Sequence, residues 1–102
     1  MQQNVISLKY SVEYQSGSVV SREILKTEGG TVTVFAFDAG QGLSEHAAPF
    51  NALVQIIDGE AQINIAKTSC TLTEGQMIEL PANKPHSLKA LKRFKMLLVM
   101  IK

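Results

Sequence analysis

The sequence predicts an all-β fold, a sandwich or barrel of short antiparallel strands, and three observations carry that expectation. Twenty-two of the 102 residues are Val, Ile or Thr, whose branched Cβ suits extended backbone better than helix. Turn-forming residues recur at Gly17, Gly29-Gly30, Asp38 to Gly42, Asp58-Gly59, Glu74-Gly75 and Pro81 to Pro85. The stretches between them run to about 5–15 residues, short enough for an all-β chain of short strands.

Taken in order, residues 1–16 carry no decided pattern and read either as an N-terminal arm or as an edge strand. Thr31 to Phe37 alternates threonine and aromatic residues with valine and alanine, a strand with both faces at least partly covered. Ala52 to Ile57, then Asp58-Gly59, then Glu60 to Ile65 has the form of a hairpin. Asp-Gly is a preferred two-residue turn there, because both turn positions need a positive φ. From Leu88 to Ile101 the apolar residues recur every three or four positions with Lys89, Lys92, Arg93 and Lys95 between them. Local periodicity leaves that segment open between a cationic amphipathic helix and a turn at Lys92-Arg93 followed by a strand.

Length and composition bound the function. A chain of 102 residues is a single domain, 1–102, large enough for one core. Hydrophobic residues make up 45% and charged residues 19%, and the formal net charge is +1. That balance argues against a nucleic-acid partner and against a membrane partner held by charge. The single cysteine, Cys70, cannot form an internal disulfide, and Met1-Gln2-Gln3-Asn4 lacks the basic start of a secretory signal. A cytoplasmic setting is the expectation.

Two half-motifs decide more. Gly40, five residues, then His46, with Gly59 downstream, is followed by Gly75, five residues, Pro81, then His86. This order and spacing resembles the two motifs of the cupins, in particular the small single-domain type of the RmlC-like cupin superfamily called cupin 2. The first motif runs Gly, five residues, His, any residue, His, three or four residues, Glu, six residues, Gly. The second runs Gly, five residues, Pro, any residue, Gly, two residues, His, three residues, Asn. The resemblance covers roughly residue 30 to the C-terminus. It implies an antiparallel double-stranded β-helix, or jelly-roll barrel, and makes Phe94 to Ile101 a strand.

The departures from that pattern bear on chemistry. Aligned on His46 and Gly59, the motif's second histidine falls on Ala48 and its glutamate on Ala52; Asn83 stands for the motif glycine and Ala90 for its asparagine. Metal-binding cupins use three histidines and one glutamate, so this chain resembles a cupin with a degenerate ligand set. The resemblance places His46 and His86 inside the barrel on strands that face each other. Two imidazoles alone make a poor site for zinc or a late first-row metal, which takes at least a third protein ligand. No cofactor is therefore expected; the alternatives left open are a weakly bound divalent transition metal on His46 and His86, and a metal-free acid/base role. No catalytic residue is assigned.

The functional expectation is a cupin barrel that binds a small organic ligand without a full metal cage. Its pocket is expected to hold His46, His86, Ala48, Ala52, Phe50, Val54 and Met77, with Ile56, Phe35, Phe37, Leu88 and Met96 as further candidates for the lining or for ordinary core. The alternative is a metal-dependent cupin enzyme of dioxygenase, isomerase or decarboxylase type using His46 and His86 as ligands. The cluster Lys92-Arg93-Phe94-Lys95 reads as a solvated turn.

Strand parity adds a partner. If Ala52, Val54 and Ile56 face inward, Leu53, Gln55 and Ile57 face out; Leu97, Val99 and Ile101 do the same beside Lys95. Outward apolar residues on two strands predict a homodimer, unless residues up to about 16 fold back over the same surface.

Overall fold

The computed structural model describes residues 5–102. The first four residues of the segment expected as an arm lie outside the described residues. A short 3-10 turn at Leu8–Tyr10 precedes eight strands: β1 (Val19–Thr27), β2 (Gly30–Phe37), β3 (Gly42–His46), β4 (Asn51–Ile65), β5 (Thr68–Thr73), β6 (Met77–Leu80), β7 (His86–Lys89) and β8 (Phe94–Ile101). Phe94–Ile101 is thus a strand, and the amphipathic-helix alternative for this segment does not hold.

All pairings are antiparallel and form two sheets that share one strand. The first runs β1-β2-β8-β4-β6, using the N-terminal half of β4. The second runs β3-β7-β4-β5, using its C-terminal half.

The hairpin expected at Asp58-Gly59 is not there. β4 continues for 15 residues through that dipeptide, with an irregularity in its register on β8 between Ile56 and Asp58. Gly59 does have a positive φ of 77°, but it serves a crossing rather than a reversal: a Cβ there would run into the Arg93 carbonyl. The glycine lets β4 lean onto β8 as it passes from one sheet to the other. A two-residue reversal occurs instead at Ala66-Lys67, flanked by the paired Ile65 and Thr68, with Ala66 at φ 53°.

Alternation along the strands fills the space between the sheets. Phe37, Val54, Ile56, Ile63, Phe94 and Met96 are all but fully buried, and Phe37 stacks on its register partner Phe94 with ring centroids 4.5 Å apart. Each such side chain contributes roughly 1.5–3 kcal/mol by leaving water.

A second, smaller core lies on the outer face of the first sheet. Val12 packs there with Val34 and Ala36, joined by Leu8, Tyr14, Val20, Ile24, Ile57 and Leu97. Residues 8–14 therefore lie as an arm across the chain's own sheet. The arm is fastened by polar contacts at one end. Tyr14 donates its hydroxyl to Asp58 at 2.6 Å, Lys9 approaches Asp58 at 3.5 Å and Glu74 at 3.3 Å, and the Arg93 guanidinium lies 4.6 Å from the Tyr14 ring centroid. Lys95, expected in a solvated turn, is instead 6% exposed beneath the arm, donating to the Lys9 carbonyl and lying 5.0 Å from the Tyr14 ring centroid.

Candidate functional site

His46 ends β3 and His86 opens β7, and the two are register partners on adjacent strands. The resemblance implied strands facing each other across the barrel; the side chains meet because the strands are neighbours. The β3–β7 register shifts between Leu43 and His46, so local alternation through Ser44 and Glu45 is broken before His46 turns in.

The turn before His86 is held from two sides. The backbone N–H of Asn83 donates to the Ala48 carbonyl at 2.7 Å, and that of Ala82 donates to the Asn51 Oδ1 at 2.9 Å. Asn83 has φ 67°. It stands where the cupin motif has a glycine, and asparagine is among the residues that best tolerate this left-handed conformation. This departure from the motif therefore preserves the turn.

Each imidazole is oriented by the backbone. The Nδ1 of His46 lies 2.8 Å from the Ser44 carbonyl oxygen, and the Nδ1 of His86 lies 3.2 Å from that of Lys84. The rings meet edge to face at 67°, with their Nε2 atoms 3.1 Å apart. His46 is exposed at the mouth, whereas His86 is buried. Burial holds the His86 imidazole below the ordinary histidine range, and the proximity of His46 adds to that effect against the opposing pull of the Lys84 carbonyl.

Behind the rings lies a cavity of about 120 Å³. Six of the residues expected from the sequence line it: His46, Ala48, Phe50, Ala52, Val54 and His86. Leu88 and Met96 join them, whereas Phe35, Phe37 and Ile56 belong to the packed core. Met77 does not reach the cavity. It pairs with outward-facing Gln55 and is 57% exposed. The sequence reading did not name Leu43, Leu80, Leu98 and Met100 as lining residues, although strand parity had already turned Leu98 and Met100 inward. Parity along β8 puts both on the same face as Met96, and that face continues into the cavity wall.

A wider concavity of about 500 Å³ lies on the other side of β3 and β7, bordered by Gln41, Glu45, Asn64, Ser87 and Lys89. Two of its polar side chains, Asn64 and Ser87, hydrogen-bond to each other at 3.1 Å. It is open and surface-like; the enclosed apolar cavity with convergent polar tips has the character of a small-molecule site.

Similarity to solved structures follows the same outline. A conserved protein of unknown function from Streptococcus pyogenes is 35% identical over 100% of this chain and 90% of its own, with a TM-score of 0.93. A cupin 2 conserved barrel domain protein from Leptotrichia buccalis is 36% identical over 89% of this chain and 44% of its own, with a TM-score of 0.86. The chain belongs to the cupin superfamily. A cupin superfamily protein from Desulfitobacterium hafniense, 26% identical over 99% of this chain and 93% of its own, superposes with a TM-score of 0.92. No family model matches the sequence, and no curated protein does. In this cupin the two sheets joined through β4 form the double-stranded β-helix of the superfamily.

Metal binding in this superfamily can be tested against the residues present. Among the described residues, no group of three or more His, Cys, Asp or Glu side chains is gathered for a metal ion. Ala48 and Ala52 line the cavity with methyl groups where the motif has a histidine and a glutamate. Two imidazoles without a third protein ligand do not fit the usual cage. No helix of the described residues is long and apolar enough to cross a membrane.

Proposed function

We propose that this cupin barrel binds a small, largely apolar organic molecule in the cavity between the sheets, with His46 and His86 as its polar end. The observation that carries the reading is the cavity itself: about 120 Å³, walled by Ala48, Ala52, Val54, Met96 and Met100 and closed on one side by the imidazole pair. Replacing ligand-bearing side chains by alanine leaves space and removes charge, which suits an organic occupant better than an ion. The metal-dependent enzyme reading is weaker because it lacks a third ligand. Ala52→Leu supplies the test. It should fill the cavity and abolish saturable shifts that small apolar probes induce in Ala48 and Met96 methyl resonances. Probe binding unchanged in that variant would place the ligand elsewhere and sink the proposal.

We also propose a twofold homodimer through the part of the outer face that the arm leaves open. Leu25, Val32, Val99 and Leu53 are aligned by register into one row across β1, β2, β8 and β4, ending at Glu79 on β6. Arg22 is one out-facing position away at the opposite edge, opposite Val34. A twofold rotation about β8 lays Glu79 near the partner's Arg22 and the aliphatic rows on each other, so both charge and apolar area complement. Light scattering should give twice the 11.1 kDa chain mass, and Val99→Glu should halve it. A monomer mass for the unsubstituted chain would overturn the pairing. Leu97 is unsuitable for this test, because it belongs to the core beneath the arm.

A further inference from the structure

A lysine stands at the rim of the cavity, and among the described residues no anion meets it. Met96, Leu98 and Met100 line the cavity from β8, and the two-residue period of the strand puts Lys102 next on that face. Lys102 lies just past the last register pair, Ile101 with Asn51, where its backbone N–H donates to the Gly29 carbonyl at 2.8 Å. Its ammonium is 5.7 Å from the ring centroid of Phe50, which lines the same cavity. An exposed ammonium over one aromatic face is weakly held and keeps its N–H donors for another partner. The ion pairs of the described residues join Lys9 to Asp58 and Glu74, Lys92 to Glu60 and Arg93 to Asp38; Lys102 enters none of them. The cavity lining holds no Asp or Glu. Glu45 borders the wider concavity instead, and Glu79 pairs with outward-facing Leu53.

We infer that the cavity takes a short-chain carboxylate, its apolar body in the pocket and its carboxylate against the Lys102 ammonium at the rim. This rests on the cavity being the binding site, as proposed above. The loop after His46 joins β3 to β4, so the imidazole pair bounds the cavity from the second sheet, and Phe50 with Lys102 from the first. A carboxylate there gains a charge-assisted hydrogen bond that a neutral amide of the same shape does not. An ammonium head meets a like charge and no carboxylate. A lone lysine is a single compact positive charge, which suits a carboxylate better than a phosphate of nearly two negative charges. Size restricts the class further. A volume of about 120 Å³ has room for about four groups the size of a water or methyl, a body of four carbons rather than a ring system.

Three probes with one branched carbon skeleton test this: isovalerate, isovaleramide and isopentylamine, whose heads are negative, neutral and positive at about pH 8. Each is titrated into the full chain, and methyl resonances of Ala48, Ala52 and Met96 report entry. Isovalerate should bind about tenfold more tightly than isovaleramide, and isopentylamine more weakly than either. Lys102→Met keeps the aliphatic stem and removes the charge at an exposed position beyond the last strand pair, so the fold is kept. In that variant isovalerate should fall to the affinity of isovaleramide. Isovaleramide or isopentylamine binding as tightly as isovalerate, or a preference for isovalerate that survives Lys102→Met, overturns the inference while leaving the cavity as the binding site. Failure of all three probes to perturb the cavity overturns the inference together with the small-molecule reading.

Discussion

Lys95 on the C-terminal strand donates a hydrogen bond to the main-chain carbonyl of Lys9, 86 residues earlier in the sequence. The contact ties the arm to β8 from below, while Tyr14 and Asp58 tie it at 2.6 Å from the side. A lysine 6% exposed has few ways to satisfy its charge, and the carbonyl and the tyrosine faces supply them.

Lys95→Met keeps the aliphatic stem and removes the donor, leaving the Lys9 carbonyl to find water. Stability should fall by about 1–3 kcal/mol in urea denaturation. Resonances of Val12 and Tyr14 should move towards their unstructured positions while those of Phe37 and Phe94 stay. An arm that remains ordered would show that apolar packing on Val34 and Ala36 suffices alone.

Acid should weaken the fold in two stages. His86 is held below the ordinary 6.5 of histidine, so between the two values the unfolded chain binds more protons than the folded one. Its contribution is complete above about pH 6.5 and declines as pH falls towards the lowered value. Asp58 is held below the ordinary 3.8, first by the Tyr14 hydroxyl and then by Lys9 against some burial, so its share is present above that value and is lost as pH falls through the lowered one. Melting temperature followed from pH 8 to pH 2 should show both declines. Tyr14→Phe should diminish the lower one and leave the upper one. An unaltered lower stage in that variant would remove Asp58 from the account.

Two backbone positions with positive φ should respond in opposite directions. Gly59→Ala forces a Cβ against the Arg93 carbonyl at φ 77° and should cost about 3 kcal/mol or more. Ala66→Gly relieves a side chain held at φ 53° in a two-residue turn and should stabilise by about 0.5–1 kcal/mol. Chemical denaturation of both variants reads the pair. A neutral Gly59→Ala would mean that β4 can cross between the sheets without close approach to β8.

The same two positions mark where the sequence was legible and where it was not. Alternation located the β2 strand at Thr31 to Phe37, because a two-residue period is written in the residues themselves. Asp58-Gly59 misled because a glycine with positive φ serves a hairpin and a close crossing equally well, and only the distant Arg93 carbonyl separates the two. Ala66-Lys67 carried no turn signal at all. In the cavity, the residues tied to the two motifs or to the parity of β4 were found. Met77 was misplaced because its face depends on pairing with Gln55, a register that nothing in a four-residue strand declares. Leu8, Val12 and Tyr14 were too few to announce an arm until the sheet beneath them was known.

The sharing of β4 between the sheets has a consequence for how this cupin opens. Ala52, on the cavity wall, and Ile65, paired with His86, belong to one continuous strand. Neither sheet can come apart alone without stripping partners from that strand, so amide hydrogens along its middle should exchange with solvent only when the whole molecule unfolds. β1, held on one edge by β2 alone, should exchange through local fraying at a far lower free energy. A molecule entering the cavity presses on the slow-exchanging element, so occupancy should register as protection spread across both sheets at once.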